Sequence, residues 1–278
     1  MKLYARIIGS GPPVLILHGL FGMSDNWLTI GRNLADRGFC AHLLDLRNHG
    51  RSPHAPTHRY PDMCEDLLAY LDRQGLGCVD IIGHSMGGKL AMIFGLLEPE
   101  KTNRLIIVDM APSNYRTPEN TYHAKLLDTL LATDLHSHRS RGTIRAELSA
   151  RLNDNALASF LTKNVYQDRI SGLFAWKINL PVLKKFIEHI QIGLDELEIY
   201  APCRSRTLFI KGKRSTFYLP KHESDRLNFF PNSAVITIDD AGHWVHSEQP
   251  DRFLDITAAY LISGEVPIET DHGASTPG

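Results

Sequence analysis

Short apolar runs alternate with segments of helical periodicity along the first part of the chain. The runs that predict strands are residues 2–8, 13–17, 39–46, 79–83 and 104–109. The segments between them predict helices at residues 25–37, 60–73 and 87–97. Strands that alternate with helices are typical of an α/β protein with a mostly parallel central sheet and helices on both of its faces.

The alternation stops after Asp109 and resumes near residue 206. The segment in between predicts helices at residues 119–132, 143–152, 155–163 and 181–190. It also predicts a hairpin at residues 166–176 that turns near Ser171 and Gly172. After this segment, strands are predicted at residues 206–211 and 234–238, and helices at residues 221–230 and 247–262.

An interruption of this length is too long for a plain loop, so we expect it to fold as a cap over the edge of the sheet. The predicted organisation is an α/β core of residues 1–112 and 205–263, with a mainly helical cap of residues 113–204 inserted after the strand that ends at Asp109. Residues 264–278 carry no apolar face and predict a disordered tail. Ligands of such sheets bind at the carboxyl ends of the strands, here near Leu17, Gly83 and Asp109.

Ser85 lies in a G-x-S-x-G motif, residues 83–87, directly between a predicted strand and a predicted helix. This strand–turn–helix context is the one that a nucleophile elbow requires. The turn is so tight that side chains at Gly83 and Gly87 would collide with neighbouring backbone. It also places the hydroxyl at the amino end of a helix, which favours negative charge. Ser85 is therefore the predicted nucleophile, and the alternative is an ordinary helix N-cap serine.

A serine hydroxyl is a weak nucleophile without a neighbouring base, and His243 is the predicted base. It lies after the last predicted strand and before the last predicted helix, which returns it to the carboxyl ends of the strands. This position also keeps the order of serine before histidine that the elbow motif predicts. His246 is the rival, and His84, next to Ser85, is expected to point away from it.

The loop of residues 18–22, with the sequence His-Gly-Leu-Phe-Gly, follows the strand at residues 13–17. An acyl-transfer site needs two backbone N–H groups that face the oxyanion of the tetrahedral intermediate. The predicted pair is the N–H of Met86, directly after the nucleophile, and the N–H of Leu20 in this loop. Gly19 lets the loop backbone approach closely.

With these motifs, the chain resembles the α/β-hydrolase superfamily over residues 12–109 and 206–262, and it is most similar to the small bacterial esterases of the YbfF type. The likeness is carried by residues 18–22, 45–52, 83–89, 109–112 and 242–246. The resemblance implies cleavage of carboxylic esters or thioesters with short acyl chains, and it implies no cofactor. Many members carry an acid shortly after the strand read here as residues 206–211, whereas this chain has Ser215 and no carboxylate at residues 212–216.

The acid that would orient His243 is therefore expected elsewhere, and Asp109 is the predicted residue. Asp109 ends the strand that follows the elbow, and sequential parallel strands are often neighbours in the sheet. Asp168 is an alternative that would have to reach inward from the cap. Asp239 and Asp240 are further alternatives, but their short tether to His243 would misorient its ring.

Charge and composition limit the partners and the location that the sequence predicts. The formal net charge is −1, which predicts no electrostatic attraction to nucleic acid or anionic membranes. No apolar run has the length of a signal peptide or a membrane span, and the four cysteines form no C-x-x-C pair, so we expect a cytoplasmic protein with reduced thiols. Two groups of histidines could suggest a metal: His136 with His138, and His49 with His54 and His58. No cysteine or pair of carboxylates completes either group, so no metal site is predicted.

The leading hypothesis is a serine esterase or thioesterase that hydrolyses small acyl esters through a covalent acyl-enzyme. One alternative is hydrolysis of carbon–carbon bonds in ring-cleavage products with the same three residues. Another is a non-catalytic ligand-binding protein on this fold, which the presence of both Ser85 and His243 disfavours. The oligomeric state is left open. Aromatic residues more often belong to the core, but four are candidates for the acyl pocket: Trp27, Phe160, Phe174 and Trp176.

Overall fold

The computed structural model describes residues 1–117, 121–199 and 201–266, and these residues contain a seven-stranded sheet and a separate two-stranded hairpin. The strands are β1 Tyr4–Ile8, β2 Pro13–Leu17, β3 Cys40–Asp45, β4 Val79–His84, β5 Thr102–Val108, β6 Val165–Gln167, β7 Phe174–Trp176, β8 Arg206–Gly212 and β9 Ser233–Ile238. The large sheet has the order β1-β3-β2-β4-β5-β8-β9. β1 runs antiparallel to β3, and every other pair in this sheet is parallel, so the predicted mostly parallel sheet is confirmed.

The strand order determines where the site must lie. β4 pairs with β2 on one side and with β5 on the other, in a register that aligns Leu17 with Gly83 and His84 with Val108. The loops that follow these three strands therefore leave the sheet side by side at one edge. Residues 18–22 follow β2, Ser85 follows β4 and Asp109 follows β5.

Helices cover both faces of the sheet. They are α1 Leu28–Asp36, α2 Tyr60–Gln74, α3 Met86–Leu97, α4 Tyr122–Leu131, α5 Arg141–Leu152, α6 Asn155–Thr162, α7 Leu180–Lys185, α8 Ile187–Ile190, α9 Glu223–Phe229, α10 Val245–Glu248 and α11 Pro250–Ser263. Neighbouring strand residues point to opposite faces, so Leu105 packs in the core beneath α2 and α3, while Ile106 packs beneath α1 and α11. No helix in the described part of the chain is both long and apolar enough to cross a bilayer.

Residues between β5 and β8 form helices α4–α8 and the β6–β7 hairpin, whose prediction is confirmed. Hydrogen bonds join this segment to the rest of the protein. Tyr60 donates its hydroxyl to the Ile190 carbonyl over 2.8 Å. Asn164 donates its side-chain amide to the Phe21 carbonyl over 2.7 Å. The segment therefore packs against the core near the edge of the sheet where Ser85 lies.

Some predicted helices differ from those observed. The helix expected at residues 25–37 begins at Leu28, after a 3-10 turn at Ser24–Trp27. The helix expected at residues 181–190 is broken at Phe186 into α7 and α8. The helix expected at residues 247–262 is α10 followed by α11, because Pro250 has no N–H to donate and so starts a new helix. The predicted tail lies outside the described residues except for residues 264–266.

Lys89, near the start of α3, is fully buried and links the two ends of the segment that covers the sheet edge. Its ammonium group donates to the carbonyl oxygens of Pro112, Ser113 and Ile192 over 3.0, 2.7 and 2.9 Å. Burial lowers the pKa of Lys89 to about 7, but the three carbonyl acceptors favour the ammonium form, which alone has three N–H donors.

We expect Lys89→Met to lower the free energy of unfolding by about 3 kcal/mol, because three buried carbonyl oxygens lose their donor. Urea unfolding measures this difference. Lys125→Met is the matched control, since Lys125 lies exposed on α4, and its effect should stay within about 0.5 kcal/mol. Equal unfolding midpoints for the two variants would contradict a stabilising role of Lys89.

Candidate active site

Ser85 sits at a sharp turn between β4 and α3, with backbone angles φ 54° and ψ −119°. The turn needs glycine on both sides. A Cβ atom at Gly83 would lie 2.2 Å from the Gly87 carbonyl oxygen, and one at Gly87 would lie 2.3 Å from the Leu17 carbonyl oxygen. A serine with positive φ is strained, and such strain is found where a fold holds a functional group in place. The geometry is that of a nucleophile elbow.

His243 and Asp109 meet beside this turn. His243 lies in the loop between β9 and α10, and its Nδ1 is 2.7 Å from Asp109 Oδ2. Asp109 follows β5 directly and its side chain is fully buried, whereas the His243 side chain is 19% exposed. A carboxylate can only accept, so Nδ1 carries the proton and Nε2 is left as the acceptor. This is the tautomer in which an imidazole can take a proton from a serine.

Two further donors hold the Asp109 carboxylate. The Gly212 N–H donates to Oδ1 over 3.2 Å, and the Ser215 hydroxyl donates to Oδ2. Ser215 stands where many superfamily members have their acid, and here its hydroxyl contacts the acid that comes from the neighbouring strand. Gly212 is the last residue of β8 and Ser215 follows it, and β8 pairs with β5 in the sheet. The sequence reasoning did not anticipate this contact.

The other carboxylates weighed from the sequence have different partners. Asp168 accepts the N–H groups of Ile170 and Ser171 over 3.1 and 2.8 Å, and so stabilises the turn of the hairpin. Asp239 pairs with Lys213 over 2.8 Å at the surface. Among the hydrogen bonds of the described residues, Asp109 is the carboxylate that contacts the His243 ring.

Leu20 and Met86 line a small cavity of about 30 Å³ together with Ser85. Met86 is the first residue of α3, so its N–H has no acceptor within the helix. The Leu20 N–H donates none of the turn and loop hydrogen bonds found between described residues. Gly19 is required for this close approach, because a Cβ atom there would lie 2.9 Å from His84 Nδ1. The two residues whose amides are the predicted oxyanion-hole donors thus line the same small cavity beside Ser85.

Aromatic rings surround His243, and no sequence pattern predicted this arrangement. Phe217 stacks on the His243 ring with centroids 3.9 Å apart. His84 donates Nε2–H to the His243 carbonyl over 2.9 Å. His246, the rival base, is buried and stacks on Trp27 with centroids 3.9 Å apart. His246 is therefore held by its packing on Trp27, whereas His243 is held by its hydrogen bond to Asp109.

A larger cavity of about 270 Å³ opens above Ser85 and His243. Of the four aromatic candidates for a pocket, Trp27 and Phe160 line this cavity. Phe174 and Trp176 line a different one, so their assignment to the acyl pocket is wrong. His123 of α4 also lines the site, although no sequence pattern pointed to it.

Four of the five histidines considered as metal ligands have protein partners, namely His49, His54, His58 and His138. His49 donates Nδ1–H to the Arg47 carbonyl over 2.9 Å and accepts the Phe21 N–H over 3.3 Å. His138 lies 2.7 Å from Glu147. Within the described ranges, no group of three or more His, Cys, Asp or Glu side chains is arranged to hold a metal ion.

Comparison with known proteins agrees with this architecture. The alpha/beta hydrolase fold family matches residues 12–250. The sn-1-specific diacylglycerol lipase ABHD11 of Mus musculus is 33% identical over 256 residues, covering 90% of this chain and 81% of that protein. Esterase YbfF of Escherichia coli K12 is 32% identical over 249 residues, covering 90% of this chain and 92% of that protein.

A solved structure described as a marine microorganism esterase superposes with a TM-score of 0.89 and 39% identity, covering 93% of this chain and 99% of that one. The match to the family runs from just before β2 to the first residue of α11 and so includes Ser85, Asp109 and His243. The chain therefore belongs to the alpha/beta hydrolase fold family, as a serine hydrolase related to the esterase YbfF.

Proposed function

We propose that this protein is a serine esterase or thioesterase that hydrolyses small acyl esters with Ser85 as nucleophile, His243 as base and Asp109 as the acid. One observation carries the proposal. The His243 ring is held by Asp109 through a 2.7 Å hydrogen bond, in the tautomer that leaves Nε2 free, at the mouth of the cavity that contains the strained Ser85.

In the proposed reaction, Ser85 Oγ attacks the acyl carbon while His243 Nε2 takes the hydroxyl proton. The amides of Leu20 and Met86 stabilise the oxyanion. His243 then gives its proton to the leaving alcohol or thiol, and a water molecule activated in the same way releases the acid. The described contacts include no hydrogen bond between Ser85 Oγ and His243. In unliganded active sites this bond is often long or poorly aligned, and it tightens when substrate binds.

The size of the smaller cavity supports a short acyl chain. It adjoins Ser85 on the side of the two amides, which is where the acyl group must lie when its oxygen enters the oxyanion hole. Its apolar walls include Met86, Met110, Ile187 and Ile190. With a volume of about 30 Å³ it leaves little room for a long chain. The larger cavity next to His243 is then available for the leaving group, which the imidazolium must protonate.

A series of p-nitrophenyl esters and acyl thioesters of graded length tests the proposal. We expect the highest kcat/KM with acyl chains of about two to four carbons and a loss of at least about tenfold by ten carbons. A maximum at ten or more carbons would contradict the assignment of the small cavity to the acyl chain. Absence of turnover with every ester, together with no labelling by a fluorophosphonate, would contradict the proposed function itself.

The pH dependence of activity should report one histidine. Burial lowers the pKa of His246 to about 3 and the pKa values of His18 and His123 to about 4, and it holds the pKa of His84 well below its ordinary range. These rings are therefore neutral above about pH 5, which leaves His243 as the group whose protonation removes the base.

We accordingly expect kcat/KM to rise with pH on the acidic side, with a logarithmic slope of about one. A pH–rate profile measured from about pH 4.5 to 9 on a short ester gives this slope. A slope near two would show that a second histidine titrates, and a flat profile would exclude a histidine base.

A further inference from the structure

His123 lies in the first turn of α4, above the reacting centre, and the mechanism proposed so far does not use it. It lines both cavities that contain Ser85. Its ring centroid is 6.4 Å from that of Phe217, which in turn stacks on His243. The residue thus faces the place where the bound acyl group would lie, from the side opposite the sheet.

The Nδ1 atom of His123 is buried and has no hydrogen-bond partner among the described residues. A buried nitrogen without a partner costs about 1–3 kcal/mol, and native proteins keep few of them. His18, the first residue of the loop of residues 18–22, also lines the larger cavity, but its ring nitrogens both have partners. His18 uses both ring nitrogens, with Nδ1 on the Gly19 carbonyl over 2.8 Å and Nε2 on the Leu46 N–H over 3.0 Å.

His246 also has an unpartnered Nδ1, but it is packed among aromatic rings. It stacks on Trp27 and lies edge-on to Phe253, with centroids 6.2 Å apart, on the α1 and α11 face of the sheet. His246 lines the larger cavity only, whereas His123 lines the small cavity as well. A substituent on an acyl group in the small cavity is therefore close to the His123 ring, whereas the unpartnered Nδ1 of His246 is best explained by packing.

The charge state of His123 limits what it can recognise. Burial, together with the nearby His243, lowers the pKa of His123 to about 4. At neutral pH the ring is uncharged and offers one N–H donor and one acceptor. Such a ring suits a neutral hydroxyl or carbonyl oxygen better than a carboxylate or phosphate, which would favour a cation.

The other polar groups that line the small cavity do not take up the hydrogen-bonding position beside His123. The Tyr115 hydroxyl is already engaged, accepting the Ala111 N–H over 2.9 Å and donating to the Phe217 carbonyl. Gln191 is the remaining polar side chain of the lining, and the rest is largely apolar. An unsubstituted acyl chain would leave His123 without a partner, whereas an oxygen substituent would supply one.

We propose that His123 is a specificity residue that hydrogen-bonds a neutral oxygen substituent on the acyl chain, so that short hydroxyacyl or oxoacyl esters are preferred over unsubstituted ones. This inference rests on the proposed esterase function. It requires that the small cavity hold the acyl group and that the substituent lie one or two carbons from the reacting carbonyl.

The test compares p-nitrophenyl butyrate with p-nitrophenyl 3-hydroxybutyrate. The native protein should favour the hydroxylated ester by about tenfold or more in kcat/KM. His123→Phe should lower the ratio of the two kcat/KM values to about one, because the ring shape remains and its nitrogens are lost. His123→Gln should restore part of the preference through its amide. His136→Phe is the control, since it makes the same change at an exposed residue outside both cavities.

Equal kcat/KM values for the two esters in the native protein, or an unchanged preference in His123→Phe, would overturn the inference. Either result with normal butyrate hydrolysis and fluorophosphonate labelling leaves the esterase function in place. Loss of turnover and labelling in the native protein would instead overturn both. If His123→Phe does not fold, the kcat/KM ratio of His123→Gln decides the question. If neither variant yields folded protein that a fluorophosphonate labels, His123 is needed for folding and the inference is overturned.

Discussion

Ser85→Ala is expected to lower kcat for ester hydrolysis by about six decades, the effect typical of removing a triad nucleophile. The variant keeps the elbow, because alanine needs only the small Cβ that serine already places at φ 54°. What is lost is the oxygen that forms the acyl-enzyme in the proposed reaction. Active-site titration with a fluorophosphonate and hydrolysis of a short p-nitrophenyl ester measure the two consequences independently.

Ser159→Ala is the matched control for Ser85→Ala. Ser159 is an exposed serine of α6 that does not line the cavity above Ser85. It should leave both labelling and kcat unchanged within about twofold. Labelling that persists in Ser85→Ala would contradict the assignment of the nucleophile, whatever the residual turnover.

Asp109→Asn should lower kcat by about three to four decades with little change in KM. The amide is close in size to the carboxylate, so the contacts with Gly212 and Ser215 can largely remain. However, an amide –NH₂ facing His243 favours the tautomer with the proton on Nε2, which cannot accept the Ser85 proton. The imidazolium that forms during the reaction also loses its negative partner.

Asp168→Asn is the control for this change, because Asp168 contacts only the turn of the hairpin in the described hydrogen bonds. We expect it to keep kcat within about threefold of the native value. If Asp109→Asn instead kept more than about a tenth of kcat while Asp168→Asn lost most of it, the acid would come from the segment over the sheet edge, whose closure would then assemble the site.

Local sequence determined the elements that depend on few neighbouring residues. Alternating apolar runs predicted the parallel sheet, since strands buried on both faces need such runs. The elbow was readable because glycine at positions 83 and 87 and serine at 85 serve one tight turn within a single strand–turn–helix unit. The breaks at Phe186 and Pro250 were missed because helical periodicity continues across them.

The tertiary structure decided which distant residues meet at that turn. Pairing of β5 with β8, in the register that aligns Val108 with Ile210, brings Ser215 to the carboxylate of Asp109. Packing of α4 over the sheet edge brings His123 to the cavity, and the loop after β8 stacks Phe217 on His243. These contacts join residues that are about a hundred positions apart or lie on separate elements. No local pattern encodes them, because strand register and helix packing are set by the burial of the whole core.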